Sequence, residues 1–221
     1  MRESWHKKNL SLSSVVTFPR TDAPAMLTKR VVDVVGSLIL MLLTAPLTLV
    51  ICLMVAATSP GGVLFRQVRA GRDGRPFEML KFRTMRAGAD AERAALTARN
   101  EANGHLFKLR DDPRVTPVGR LLRRMSLDEL PQLVNVFRGD MSLVGPRPLP
   151  LADSDYTGPA RNRLSVLPGL TGLWQVSGRS DLTWEDMVRL DLHYVRHCSL
   201  RLDLAILART VSAVLTGRGA H

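Results

Sequence analysis

"VVGSLILMLLTAPLTLVICLMVAA" (residues 34–57) decides how this chain is built. It holds no charge over 24 residues, more than the ~20 that carry a helix across a bilayer. A signal peptide fits poorly, because the run exceeds the roughly 7–15 residues of a signal core and 33 mostly polar residues precede it. The flanks decide between the remaining readings. Lys29 and Arg30 stand before the run; Arg66, Arg69 and Arg72 follow it. Positive residues favour the cytoplasmic side, so both flanks ask for the same face. Pro46 sits centrally, with 12 residues of the run before it and 11 after. A proline inside a helix deletes a backbone hydrogen bond and clashes with the preceding turn. Thr44 offers a hydroxyl to the freed carbonyls. A helix that enters, turns at Ala45-Pro46 and leaves on the same face satisfies charge and proline together. A proline-kinked span is the alternative.

Outward from this run, residues 1–25 mix Ser, Thr, Lys, Arg and Pro without periodicity and read as a flexible arm. Residues 26–58 then read as the membrane segment and 59–221 as the domain that follows it. Residues 63–85 alternate apolar and polar around a turn at Gly71 to Gly74, the pattern of a small β-hairpin. Residues 87–107 are alanine-rich and charged, a helix followed by a loop. "VGRLLRRM" (118–125) sets leucines against arginines at helical spacing, and Ser199 to Leu215 is amphipathic as well. The fold class is α+β, mainly helical.

Composition narrows the partners. The formal net charge is +11, which suits a nucleic acid, an anionic membrane or a phosphorylated substrate. Only 5% of residues are aromatic, too few for a base-stacking platform, and the apolar run argues further against nucleic acid. Cys52 lies in that run and Cys198 far from it, so a disulfide scaffold is not expected.

One short stretch carries chemistry. In "SLDELPQLVNVFRGDMSLVGPRP" (126–148), Asp128 and Glu129 precede a helix-like run that closes on Gly-Pro-Arg-Pro. Ser126-x-x-Glu129 has the form of a capping box, but Pro131 would then fall where a helix needs its amide. The proline places Asp128 at the helix start, where the macrodipole favours an ionised carboxylate. Arg120, Arg123, Arg124, Arg138 and Arg147 surround the pair in sequence. Such acids can serve as a nucleophile or as ligands for Mg²⁺ together with substrate phosphates. On residue types alone, Asp128 as a simple helix cap is the commoner role.

The chain resembles the short monotopic phosphoglycosyl transferases of the bacterial sugar transferase family. Five blocks in order carry the resemblance: "KRVVDVVGSLILMLLTAPL", "FRQVRAGRDGRPFEMLKFRTM", "DDPRVTPVGRLLRRMSLDELPQLVNVFRGDMSLVGPRP", "PGLTGLWQVSGR" and "LDLHYVRHCSLRLDLAIL". The resemblance implies a re-entrant membrane helix broken at Ala45-Pro46, where many members have Ser-Pro. It implies transfer of a hexose phosphate from a UDP-sugar to a polyprenyl (undecaprenyl) phosphate, the first membrane step of exopolysaccharide or glycoconjugate synthesis. Asp128 would attack the β-phosphorus, expel UMP and hold the phosphosugar, while Glu129 helps hold Mg²⁺ with it. Arg123, Arg147 and Arg179 are the expected phosphate-binding residues, with Lys81 and Arg83 on the nucleotide side. His193 and Tyr194 read as core or interface residues. The implied place is the inner membrane, with the catalytic portion on its cytoplasmic face, and the amphipathic helices leave room for a homodimer. The competing reading is a non-catalytic membrane-surface scaffold for polysaccharide assembly.

Overall fold

The computed structural model describes residues 23–89, 91–96, 109, 111–151, 158–178 and 182–216. The expected arm up to residue 22 and Arg179 lie outside the described residues. The chain is mostly helical, with two small two-stranded sheets.

Helix α1, Ala23–Thr58, is a single α-helix with Pro46 inside it. Its Met26–Thr58 stretch is long and apolar enough to cross a membrane. At Ala45-Pro46, where a break was expected, the helix is continuous. A mid-helix proline costs about 3 kcal/mol, whereas opening a turn within an apolar stretch would strand several backbone groups without partners. Thr44 Oγ1 donates to Leu40 O at 2.7 Å, one turn back. The middle of α1 leaves Leu38, Ile39, Leu42, Leu43, Leu49 and Val50 exposed.

Strands β1 (Leu64–Ala70) and β2 (Pro76–Phe82) form the expected antiparallel hairpin, Leu64 opposite Phe82. Between them a 3-10 turn at Arg72–Gly74 uses left-handed backbone at Asp73 and Gly74. Of residues 87–107 the structure describes one helical turn, α2 (Arg93–Leu96). Helix α3, Pro117–Arg124, bears out the basic amphipathic reading. Thr116 caps it by accepting from Gly119 N at 2.9 Å, and Pro117 occupies its first turn.

Helix α4 spans Gln132–Arg138 and stops at Gly139, whose φ of 100° is the left-handed cap that glycine supplies. Strand β3 (Ser142–Val144) follows and pairs in parallel with β4 (Gly169–Thr171). Helices α5 (Trp184–His197) and α6 (Leu200–Thr216) complete the fold.

Two apolar clusters hold these elements. One joins Met79 of β2, Leu133 and Val136 of α4, Leu143 and Val144 of β3, Tyr194 of α5 and Ile206 of α6. Tyr194 is thereby a core residue, as read from the sequence. The second joins Ile51 and Val55 of α1 to Phe82 of β2 and Leu122 of α3. Buried Asn135 ties α4 to β2: its Oδ1 accepts from Leu80 N at 3.0 Å and its Nδ2 donates to Glu78 O at 2.7 Å.

Candidate active site

The carboxylate pair lies in a 3-10 turn, Leu127–Glu129, between α3 and α4. This differs from the expected helix start. Ser126 adopts left-handed backbone (φ 56°, ψ 21°) and makes no side-chain cap, so the capping box does not form. The first turn toward α4 is wound as i to i−3 bonds, Leu133 N to Leu130 O and Val134 N to Pro131 O, both 3.1 Å. Pro131 occupies the N-cap of α4, where its missing N–H costs nothing. Glu129, freed from capping, turns to other partners.

Those partners are Lys81 and Arg147. Lys81 Nζ, from β2, reaches Glu129 Oε1 at 3.1 Å. Arg147 Nη1 donates to Glu129 Oε2 at 3.1 Å and Nη2 to Oε1, a bidentate grip. Burial works to raise the Glu129 carboxyl, but Arg147 and Lys81 outweigh it and hold it well below the usual carboxylate range. Lys81 pays the reciprocal cost: burial pulls its ammonium below its ordinary value despite Glu129.

Asp128 is nearly buried, at 7% exposure. Its carboxylate makes no hydrogen bond or ion pair among the described residues. Burial raises its pKa; Lys81, Arg123 and Arg147 counter this, and Glu129 adds to it. Asp128 is thus a poorly solvated anion in the field of three cations, its oxygens uncommitted among the described residues.

Each cation is mounted on rigid structure. Arg123 Nε donates to Thr84 Oγ1 at 2.9 Å. Helix α3 rests so closely on this segment that a Cβ on Gly119 would lie 2.1 Å from Thr84 O. Arg147 stands between Pro146 and Pro148, which fix φ on both sides. All four carbonyls from 146 to 149 are engaged. Pro146 O accepts from Gly169 N (2.9 Å) and Arg147 O from Arg163 Nη2 (2.9 Å). Pro148 O accepts from Arg69 Nη1 (3.0 Å) and Leu149 O from Ala70 N (3.2 Å).

Of the sequence-predicted residues, Asp128, Glu129, Lys81, Arg123 and Arg147 are brought together. Lys81 pairs with Glu129 itself. Arg83 does not join them: its guanidinium donates to Gly62 O at 2.8 Å and Leu64 O at 3.3 Å and lies over Phe65. Thr84, Arg163 and Asp191 are additions. Arg163 Nη2 bridges Arg147 O to Asp191 Oδ2, the latter at 2.5 Å. Burial lifts Asp191 to about 6 against the pull of Arg163. Nothing local in the sequence points to this pair, since its members lie 28 residues apart.

The donor set also bears on Mg²⁺. No group of three or more His, Cys, Asp or Glu side chains suited to a metal occurs among the described residues. Both Glu129 oxygens are taken by cations, which leaves Asp128 as the carboxylate with oxygens to offer. That fits Mg²⁺, which takes one or two protein carboxylates and completes its shell with substrate phosphates and water.

Comparison with known proteins places this arrangement. A profile of the bacterial sugar transferase family matches residues 24–217. The chain is 45% identical over 205 residues to the UDP-glucose:undecaprenyl-phosphate glucose-1-phosphate transferase of Caulobacter vibrioides, covering 88% of this chain and 72% of that one. It is 41% identical over 200 residues to the exopolysaccharide production protein ExoY of Sinorhizobium fredii, covering 88% of each. It is 42% identical over 199 residues to the galactosyl transferase CpsE of Streptococcus agalactiae, covering 88% of this chain and only 44% of that protein. The chain belongs to the bacterial sugar transferase family.

Proposed function

We propose that this protein is a membrane-bound phosphoglycosyl transferase that moves a hexose-1-phosphate from a UDP-sugar to a polyprenyl phosphate and releases UMP. The carrying observation is the nearly buried Asp128 carboxylate, free of hydrogen bonds among the described residues and set among Lys81, Arg123 and Arg147. An anion attacking a diphosphate meets several like charges, so cations must be placed beforehand. An Asp128 oxygen attacks the β-phosphorus, and the bond from that phosphorus to the bridging oxygen breaks. UMP departs with the electron pair, leaving an aspartyl-phosphosugar. A polyprenyl phosphate oxygen then attacks the same phosphorus and Asp128 leaves as carboxylate, which closes the cycle. Glu129 keeps Arg147 and Lys81 in place; Arg147 has further N–H groups for phosphate beyond the two on Glu129. Mg²⁺ held at Asp128 and the donor diphosphate would neutralise charge on the phosphates.

Membrane attachment through α1 belongs to the same reading. Lys29 and Asp33 near its start and Ile51 and Val55 near its end pack on one and the same globule. Between them Met41 packs on the globule's core, and the other side of the apolar middle is exposed. A helix crossing fully would deliver its two ends to opposite faces. This supports a monotopic attachment in which α1 lies along the globule with its exposed apolar side in the membrane and both ends toward the cytoplasmic side, residues 26–58 being the embedded part and 59–221 the catalytic part. The names of the relatives include both glucose and galactose, which supports a hexose donor.

The test is UMP release by the full-length protein, given Mg²⁺ and a panel of UDP-sugars, with and without polyprenyl phosphate. Sustained release is expected only with the lipid. Asp128→Asn is expected to lower turnover roughly a thousandfold or more, with expression and membrane association retained. With β-³²P-labelled donor and no lipid, label should stay on the wild-type protein and not on Asp128→Asn. Full activity of that variant defeats the nucleophile assignment. An inactive wild type across the panel favours the scaffold reading. Tags at the two ends found on opposite faces would defeat monotopic entry.

A further inference from the structure

The root of α1 does more than sit beside the globule. Lys29, Asp33, Gly36 and Ser37 recur at the three- and four-residue spacing that puts them on one helix face. Asp33 and Ser37 are buried, although neither belongs to a helix interior in water. What Asp33 touches is strand β3: its Oδ1 accepts from Leu143 N at 2.9 Å and from Ser142 Oγ at 3.0 Å. One turn earlier, Lys29 Nζ donates to Val144 O at 3.2 Å and pairs with Asp203 Oδ2 of α6 at 2.6 Å. Tyr194 OH closes the loop, donating toward Val144 O at 2.9 Å and Asp203 Oδ1 at 2.8 Å. Gly36 allows the approach, because a Cβ there would lie 2.8 Å from Leu143 Cδ1. β3 ends at Val144, and the next residues are Gly145, Pro146 and Arg147.

We propose that Lys29 and Asp33 are positioning residues for Arg147, so that the root of the membrane helix sets the strand from which the Glu129-gripping arginine is delivered. Between Val144 and Arg147 stand only Gly145, whose N–H donates to Thr171 O at 2.9 Å and whose Cα is packed against Leu167 O, and Pro146, whose φ is fixed, so a displacement of the Val144 carbonyl is carried into Arg147. The claim rests on the proposed function where it concerns turnover. Where it concerns the placement of the 145–149 segment it stands alone.

Two measurements on the full-length protein in detergent separate these. Hydrogen exchange reads placement without substrate. Asp33→Ala leaves Leu143 N without its acceptor and should speed exchange at Gly145, Arg147 and Leu149 about tenfold, with α5 and α6 near wild type. Asp33→Asn keeps an oxygen for both donors and should restore slow exchange. Unchanged exchange at 145–149 in Asp33→Ala overturns the proposal. So does uniform acceleration over the whole globule, since that would make α1 a general stabiliser. Turnover then tests the consequence through a double-mutant cycle with Arg147→Ala. Asp33→Ala should lower turnover about tenfold alone and less than twofold when Arg147 is already alanine; equal effects in both backgrounds overturn it. A wild type that turns over no UDP-sugar would defeat the proposed function, and the exchange result would still decide the placement.

Discussion

At the scale of single residues, two adjacent carboxylates are driven in opposite directions by their neighbours. Glu129 has a bidentate arginine and a lysine, and its proton is lost far below the ordinary range. Asp128 has burial without a bonded partner among the described residues, and its proton is held more tightly than usual. A nucleophilic carboxylate must be ionised, so activity falls as pH drops through the raised Asp128 value. The acid limb of turnover should therefore lie above the ordinary aspartate pKa of 3.8. Lys81 is the largest of the influences that lower Asp128. Lys81→Met is expected to move that acid limb to still higher pH, because the protonated form of Asp128 gains relative to the anion. The wild-type profile should also fall on its alkaline side below pH 10.5, as burial makes Lys81 give up its proton early, and Lys81→Met should lose this limb. A pH–rate profile of UMP release for both proteins checks the two shifts; an acid limb that stays put in the variant would remove Lys81 from the field on Asp128.

At the scale of elements, the periodic ones were legible and the tertiary ones were not. Alternation around Gly71–Gly74 gave β1 and β2, and leucine–arginine spacing gave α3, because each pattern reports one buried face. Pro46 does not interrupt α1, since one lost hydrogen bond does not outweigh the ladder on either side of it. Ser126 misled: its left-handed backbone is imposed by the join of α3 to the 3-10 turn, which no capping motif encodes. The carboxylates and Arg147 were visible as residue types, but their division of labour depends on Lys81, 48 residues from Glu129. Two signals were available for the rest. Asn135 is an amide between valines in a helical run, and Asp33 a lone acid between valines; both prove to be buried ties to strands. The docking of α3 gives a test at this scale. Gly119→Ala would place its Cβ within 2.1 Å of the Thr84 carbonyl, so α3 must retreat and carry Arg123 away from Thr84. A loss of about 1–3 kcal/mol is expected, read as a lowered melting temperature. Turnover should fall further than that loss explains, since Arg123 moves with the helix.

At the scale of the whole molecule, helix α1 and the globule are one folding unit. Ile51 and Val55 are almost fully buried against Phe82 and Leu122, at 2% and 1% exposure. Lys29, Arg30 and Asp33 make six hydrogen bonds to β3, α4 and α6. Apolar side chains of this size contribute about 2 kcal/mol each, and hydrogen bonds about 1 kcal/mol each. Together they are comparable with the ~5–15 kcal/mol that holds a typical domain folded. Residues 59–221 expressed alone should therefore fail to give a cooperative thermal transition and should elute as aggregate in gel filtration, with detergent or without. The loss is not one of membrane affinity, so tethering that fragment to a membrane by an unrelated anchor should not restore UMP release. A shorter cut that keeps residues 23–221 retains every one of these contacts and is expected to melt like the full chain. If the 59–221 fragment instead unfolds cooperatively near the full-length temperature, α1 is an anchor on an independent domain, and the contacts of Lys29, Asp33, Ile51 and Val55 carry little of the fold.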